Sequence, residues 1–316
     1  MIKRLIFINL FLAAAALLGA CGPRSDDTTP EMAQRLLQVR GYHFTPEEFF
    51  KAIKLRDGRA VKAFIQGGMD PNTKNSAGQT VLTFALEATD ASMIEPLINN
   101  ADLTLPDSAG NTPIFLALKF DHPEVFETLL AKNVDINSAG RTGKNIKNQT
   151  ILALAVQRRN AELVGRLLDK GADPNRADES GFTPLYGAVT GENVDTRIVK
   201  MLVEKGANVN VQSTTRGATP LIYTVVNFNL PVETRLEVMK LLLENSADPN
   251  KQETGNGYTA LMYAFLDSRS SLEARIQVIK FLLEKGANKA LKTSEGETVV
   301  DWAKKSSEPE VAAALK

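Results

Sequence analysis

The 316-residue sequence predicts an all-α solenoid: stacked helix-turn-helix units with projecting, β-hairpin-like fingers. Three observations predict it. A threonine-led apolar phrase recurs along the chain, a second apolar phrase at helical spacing follows each copy, and a polar, glycine-containing stretch follows that. Self-similarity at such a period marks a repeat architecture, in which no unit buries its apolar face alone and neighbours stack into one core.

The first phrase reads TVLTFA from Thr80, TPIFLA from Thr112, TILALA from Thr150, TPLYGA from Thr183, TPLIYT from Thr219, TALMYA from Thr259 and TVVDWA from Thr298. Successive threonines are 32, 38, 33, 36, 40 and 39 residues apart. A threonine hydroxyl caps a helix N-terminus, and Pro113, Pro184 and Pro220 sit where a first-turn proline costs nothing. Five places after the threonine stands a small residue (Ala85, Ala117, Ala155, Ala188, Ala264, Ala303) that lets a neighbouring helix approach closely.

The second phrase is clearest in LVGRLLDKGADPN, ending at Asn175, where Leu163, Val164, Leu167 and Leu168 form one helical face. Related copies end at Asn72, Thr104, Asn137, Asn210, Asn250 and Ala290. Gly68, Asn100, Asn133, Gly171, Gly206, Ser246 and Gly286 hold the position where this helix stops, and Gly and Asn tolerate the left-handed cap conformation. Ser246 departs, and Asn245 beside it offers to shift the cap by one place. Extra residues fall between the two helices in GENVDTR, NFNLPVETR and LDSRSSLEAR, and SAGRTGKNIKNQ lengthens one finger. At the ends, residues 31–40 read as a short amphipathic helix stopped by Gly41, residues 45–72 as a degenerate first unit, and SSEPEVAAALK as a terminal cap.

Ahead of the repeats, Lys3 and Arg4 precede an apolar run from Leu5 to Leu18, which is the charge-then-apolar order of an export signal. Cys21 is the only cysteine, so the chain has no internal disulfide and packing must stabilise it. Residues 22–30 are small, polar and Pro-containing, as in a flexible tether. The 37 basic residues fall to 35 when Lys3 and Arg4 leave with the leader, against 37 acidic ones. That balance offers no basic excess for phosphates and excludes nucleic acid as the expected partner.

Leu18-Gly19-Ala20-Cys21 resembles the lipobox of bacterial lipoproteins. The resemblance implies removal of residues 1–20, a diacylglycerol thioether on Cys21 and acylation of its new amino group. More than one acyl chain is needed because a single chain anchors only marginally. Gly22, where Asp would retain a lipoprotein in the inner membrane, implies an outer-membrane anchor with the body in the periplasm. The two recurring phrases in turn resemble the ankyrin repeat, with its TPLHxA and VVxLLLxxGADVN segments, over residues 45–316. About seven repeats and a truncated eighth as C-terminal cap follow a 21–44 segment of lipidated Cys, tether and short helix. The histidine of that motif is absent: Thr83, Phe115, Ala153, Tyr186, Ile222, Met262 and Asp301 occupy its place, which weakens hydrogen bonding between fingers.

Catalytic signatures are sparse. His43 reads as a packing residue and His122 as a local contact in an inter-helix turn. Two isolated histidines form no zinc-ligand cluster, and no cofactor is expected. Gly140-Arg141-Thr142-Gly143-Lys144 superficially resembles a phosphate loop, but Ser138 and Asn145 break the pattern and no strand precedes it, leaving a solvated basic loop tip. Glu47-Glu48 and Asp26-Asp27 read as a charged first turn and tether. What remains is surface. The resemblance implies binding through finger tips and inner helices, a concave face, and it picks out Gln79, Asn111, Lys119, Phe120, Arg158, Phe182, Arg216, Asn227, Phe228, Tyr258, Leu266 and Asp267 as partner-binding candidates. Four are aromatic and two are arginines, types enriched at binding hot spots. The expected function is an envelope-tethered protein-interaction module without enzymatic activity. An inhibitor or immunity-type binder, or a structural envelope component, is the alternative.

Overall fold

The computed structural model describes residues 28–88, 93–132, 134–142 and 146–316, with the backbone alone at 146 and 147. The leader, Cys21, Asp26-Asp27, Asn133 and Gly143-Lys144-Asn145 lie outside the described residues. The chain divides into two compact units between Leu105 and Pro106. Both are built from the predicted helix pairs.

In the first unit, α1 (Pro30–Val39) packs on α3 (Gly58–Gln66), and α2 (Pro46–Lys54) packs on α3 and on α4 (Val81–Ala88). The core is aromatic: the Phe64 ring stacks on Phe49 and Phe44 and meets Tyr42 edge-on. The second helix of the next pair, α5 (Glu95–Ile98), is a single turn. Pro96 cannot follow a longer helix because its ring would clash with the carbonyl four residues earlier.

The second unit contains six pairs: α6 (Pro113–Lys119) with α7 (Pro123–Ala131), α8 (Ile151–Gln157) with α9 (Ala161–Asp169), α10 (Pro184–Val189) with α11 (Thr196–Glu204), α12 (Pro220–Val225) with α13 (Val232–Glu244), α14 (Ala260–Leu266) with α15 (Leu272–Glu284), and α16 (Val299–Lys305) with α17 (Pro309–Ala313). Each first helix packs on its own second helix, and each from α6 to α14 packs also on the next first helix. The apolar sides of both phrases are buried, Leu163, Val164, Leu167 and Leu168 included, and so are Ala117, Ala155, Ala188 and Ala264.

Threonine capping is observed at Thr45, Thr150, Thr219, Thr259 and Thr298, whose hydroxyls accept from the backbone N–H three residues on. Thr112 and Thr183 make no such bond, although each helix begins with proline there. The stop positions Gly68, Gly171, Gly206 and Gly286 are left-handed, and so is Ser246 at φ +70°. Asn245 does not shift that cap: its own φ is −105°. Asn100 is not left-handed; after a one-turn helix its side-chain amide returns to the Pro96 carbonyl instead.

Fingers close through a backbone N–H that reaches the carbonyl four or five residues later, as at Asp107–Asn111, Asp178–Phe182, Ser213–Ala218 and Glu253–Tyr258. The long insertion is a true antiparallel hairpin of β1 (Ala139–Thr142) and β2 (Ile146–Thr150). Gly140 and Arg141 therefore lie in a strand, not at a loop tip. Glycine is required at 140 because a Cβ would fall 2.1 Å from the Phe115 ring.

Candidate interaction surface

The sequence-derived candidates separate into three groups. Asn111 and Asp267 are internal, each only 4% exposed, and are not available to a partner. Asn111 donates to Asp107 and its Oδ1 accepts from the Arg141 backbone N–H, so it welds one finger to the next. Asp267 caps its own loop by accepting from the N–H groups of Arg269 and Ser270. It also faces the buried Arg235 guanidinium at 3.5 Å. Asn227 is spent in part, donating to the carbonyls of Val189 and Gly191. Gln79, in the first unit, is half-buried and bonded to Asn75 and Glu87.

Lys119, Phe120 and Arg158 come together where α6 and α8 end. Arg158 donates to the Lys119 carbonyl and approaches Asp121 at 3.8 Å, and the Lys119 ammonium lies over the Phe120 ring, which is 39% exposed. Phe228 is half-buried beneath the Arg269 guanidinium, and Leu266 is exposed at the end of α14.

Phe182 and Tyr258 belong to a larger arrangement that the sequence reading missed. Phe182 meets Tyr186 edge-on at 5.2 Å and tilts against Tyr223 at 6.1 Å. Tyr258 meets Tyr263 at 5.4 Å and Trp302 at 5.3 Å. Tyr223, Tyr263 and Trp302 hold the same place, four after the phrase-opening threonine, on α12, α14 and α16. Their recurrence at that place was the available signal. All five residues, Phe182, Tyr223, Tyr258, Tyr263 and Trp302, are half-buried. Arg216 is exposed on the finger before α12, and its carbonyl accepts from Thr254 N–H of the following finger.

The position expected to weaken finger contacts does the opposite at Tyr186. Its buried hydroxyl donates to the carbonyls of Ala218 and Val211 in the next finger, and burial pushes its pKa well up. Two other ladders were missed. The asparagine that ends the second phrase brackets the next repeat: Asn175 accepts from Asn208 N–H at 2.7 Å and donates to the Gly206 carbonyl at 2.9 Å. Asn210 and Asn250 repeat the pattern one and two units later. Gln212 and Gln252 each tie two fingers through their amide nitrogens.

The insertions before Arg235 and Arg275 lengthen the second helices more than the loops, since α13 and α15 have 13 residues against 9 in α9 and α11. The extra turn carries an arginine back beneath the end of the first helix. Arg235 donates to the Val225 carbonyl and Ser270, and Arg275 to the Phe265 carbonyl and Glu308. His43, expected to pack, is exposed, and the adjacent Tyr42 is buried instead. The lowered carboxylates trace to caps and surface ion pairs. The Thr298 hydroxyl and then Lys304 hold Asp301 down to about 2, and Arg197 holds Asp195 below its ordinary range.

A family model described as ankyrin repeats (3 copies) matches residues 49–140, 139–213, 192–292 and 232–316. The mouse B-cell lymphoma 3 protein homolog is 32% identical over 180 residues, 53% of this chain and 40% of that protein. The Arabidopsis thaliana E3 ubiquitin-protein ligase KEG is 26% identical over 56% of this chain and 10% of its own length. Human neurogenic locus notch homolog protein 1 is 29% identical over 49% of this chain and 6% of its own. The chain thus spans less than half of the length of these curated relatives. The crystal structure of the Bcl-3 ankyrin repeat domain aligns with a TM-score of 0.58 at 25% identity, covering 76% of this chain and 99% of that one.

Proposed function

Because the chain belongs to the ankyrin-repeat family, we propose that it is a protein-interaction module, held at the cell envelope by lipid on Cys21, that engages its partner through its fingers and first helices. The observation that carries this reading is the row of half-buried rings on α12, α14 and α16 and their fingers. Tyr and Trp are hot-spot residues because they bring large, rigid contact area at low entropic cost. Here each is braced by a neighbouring ring at 5–6 Å, so little side-chain freedom is lost on binding. The lipobox-like LGAC and Gly22 support an anchor in the outer membrane with the repeats in the periplasm.

Affinity capture from an envelope extract tests the reading, with the full chain as bait beside a folded Tyr223→Ala/Tyr263→Ala variant. A protein retained by the parent and lost by the variant is the expected result. Retention by both would move the site off this face, and no retained protein would overturn the interaction reading. Labelled fatty acid is expected to be incorporated into the parent and not into Cys21→Ser, and an unlabelled parent would refute the lipid anchor.

A further inference from the structure

The ring row has a chemistry and a period that narrow what it holds. Tyr223, Tyr263 and Trp302 recur once per repeat on helices that pack directly on one another, with Phe182 and Tyr258 between and beside them. Packed helices lie about 8–10 Å apart, so the equivalent rings of Tyr223, Tyr263 and Trp302 step along the face at about that interval, while Phe182 lies 6.1 Å from Tyr223 and Tyr258 lies 5.4 Å from Tyr263 and 5.3 Å from Trp302. The hydroxyls of Tyr223, Tyr258 and Tyr263 have no hydrogen-bond partner among the described residues, and none is sealed in the interior. They are donors available to an incoming acceptor. At the Tyr223 end of the row the unpaired charge is positive, whereas at the Trp302 end the exposed Glu295 makes no ion pair among the described residues. Arg216 makes no ion pair among the described residues, whereas the Glu253 carboxylate is occupied by the N–H groups of Gly255, Asn256 and Tyr258. The nearby Glu297 is likewise engaged, by Trp302 and Lys305.

Resting on the interaction reading above, we propose that this face takes a proline-rich segment of the partner in the polyproline II conformation, with an acidic residue that reaches Arg216. One turn of polyproline II is three residues and about 9.3 Å, which matches the ring interval; a β-strand repeats at about 6.6–6.8 Å and does not. Two turns of an α-helix, about 10.8 Å, come near the same interval. A helix, however, consumes its backbone carbonyls internally and offers the three phenols only side-chain acceptors, whereas polyproline II leaves every carbonyl free. Pyrrolidine rings lie in aromatic grooves with little entropy left to lose. From the level of Phe182 to that of Trp302 there are three repeat intervals, about 24–30 Å, or about nine residues of polyproline II.

Trp302 is the chain's only tryptophan, so its fluorescence reports directly on the row. The test titrates the full chain with a peptide of about nine residues, three repeats of Pro-Pro-Glu. A Gly-Gly-Glu peptide of equal length and charge serves as control, as does a Pro-Pro-Lys peptide. The expected result is a saturable change with Pro-Pro-Glu, none with Gly-Gly-Glu and weaker binding of Pro-Pro-Lys. Tyr223→Ala/Tyr263→Ala should weaken binding roughly tenfold or more, the scale of lost hot-spot rings. Tyr223→Phe/Tyr263→Phe, which keeps the packing, should also weaken it, and it serves alone if the alanine variant does not fold. No saturable signal, an equal response to Gly-Gly-Glu, or unaltered affinity in the phenylalanine variant would overturn the proposal. If a protein captured in the envelope experiment is not displaced by Pro-Pro-Glu, the proline-rich inference fails while the interaction reading stands.

Discussion

Replacing Tyr186 by phenylalanine removes one oxygen and leaves the ring packed against Phe182 and Tyr223, so no cavity opens. The hydroxyl has one proton, shared between the Ala218 carbonyl at 2.5 Å and the Val211 carbonyl at 2.8 Å. Ala218 is buried, and among the described residues its carbonyl otherwise accepts only the Ser213 N–H that closes the finger. Because the Ala218 carbonyl keeps its bond from Ser213 and Val211 is only half-buried, neither acceptor is stranded, and the loss is that of a net hydrogen bond, about 0.5–1.5 kcal/mol. The second unit runs over residues 106–316, and for a domain of that size the loss corresponds to about 2–4 °C of melting temperature per kcal/mol. Denaturant titration followed by far-UV circular dichroism, with thermal melts beside it, measures the change. A Tyr186→Phe protein indistinguishable from the parent would refute the claim that this tyrosine replaces the family's histidine as the bond between fingers.

Leu167 is fully buried in α9, and Leu167→Ala is expected to cost about 2–5 kcal/mol by chemical denaturation; an unchanged midpoint would remove Leu167 from the core. Ser246 holds φ +70° at the end of α13, so Ser246→Gly should stabilise by about 1 kcal/mol, and a destabilised variant would show that the Ser246 side chain supports the cap. Asp57 caps α3 and pairs with Arg40. Burial pushes its pKa up, but Arg40 and the Ala60 N–H outweigh that and hold it below 3.8. Its contribution is thus complete above pH 3.8 and is lost as pH falls through the lower folded value. Asp57→Asn keeps a capping side chain, so the stability gap between parent and variant should shrink as pH is lowered below 3.8, and a constant gap in acid melts would contradict this.

The repeat register was legible because both helices are amphipathic and their punctuation is chemical: Thr or Thr-Pro opens the first, and Gly closes the second. What escaped were polar roles that depend on the neighbouring unit. Asn175 reads as a phrase ending until Asn208 and Gly206 of the next repeat are brought to it. Asp267 reads as a surface aspartate because the sequence does not reveal that an inserted turn of α13 carries Arg235 back to it. Asn111 was misplaced for the same reason: its partner, the Arg141 backbone, lies 30 residues away in the hairpin. Of the candidate surface, Phe182, Arg216 and Tyr258 were reachable by analogy to fingers. Tyr223, Tyr263 and Trp302 were passed over because a ring at helical spacing ordinarily means core, and only the structure shows that each is half-buried.

The most direct test of the central claim is site-specific photo-crosslinking in the source cell. A photoreactive phenylalanine analogue would replace Tyr263 on α14 in one strain and Lys280, exposed on α15, in another. The account predicts a discrete crosslinked partner from position 263 and none from 280. A partner crosslinked from 280 and absent at 263 would contradict it.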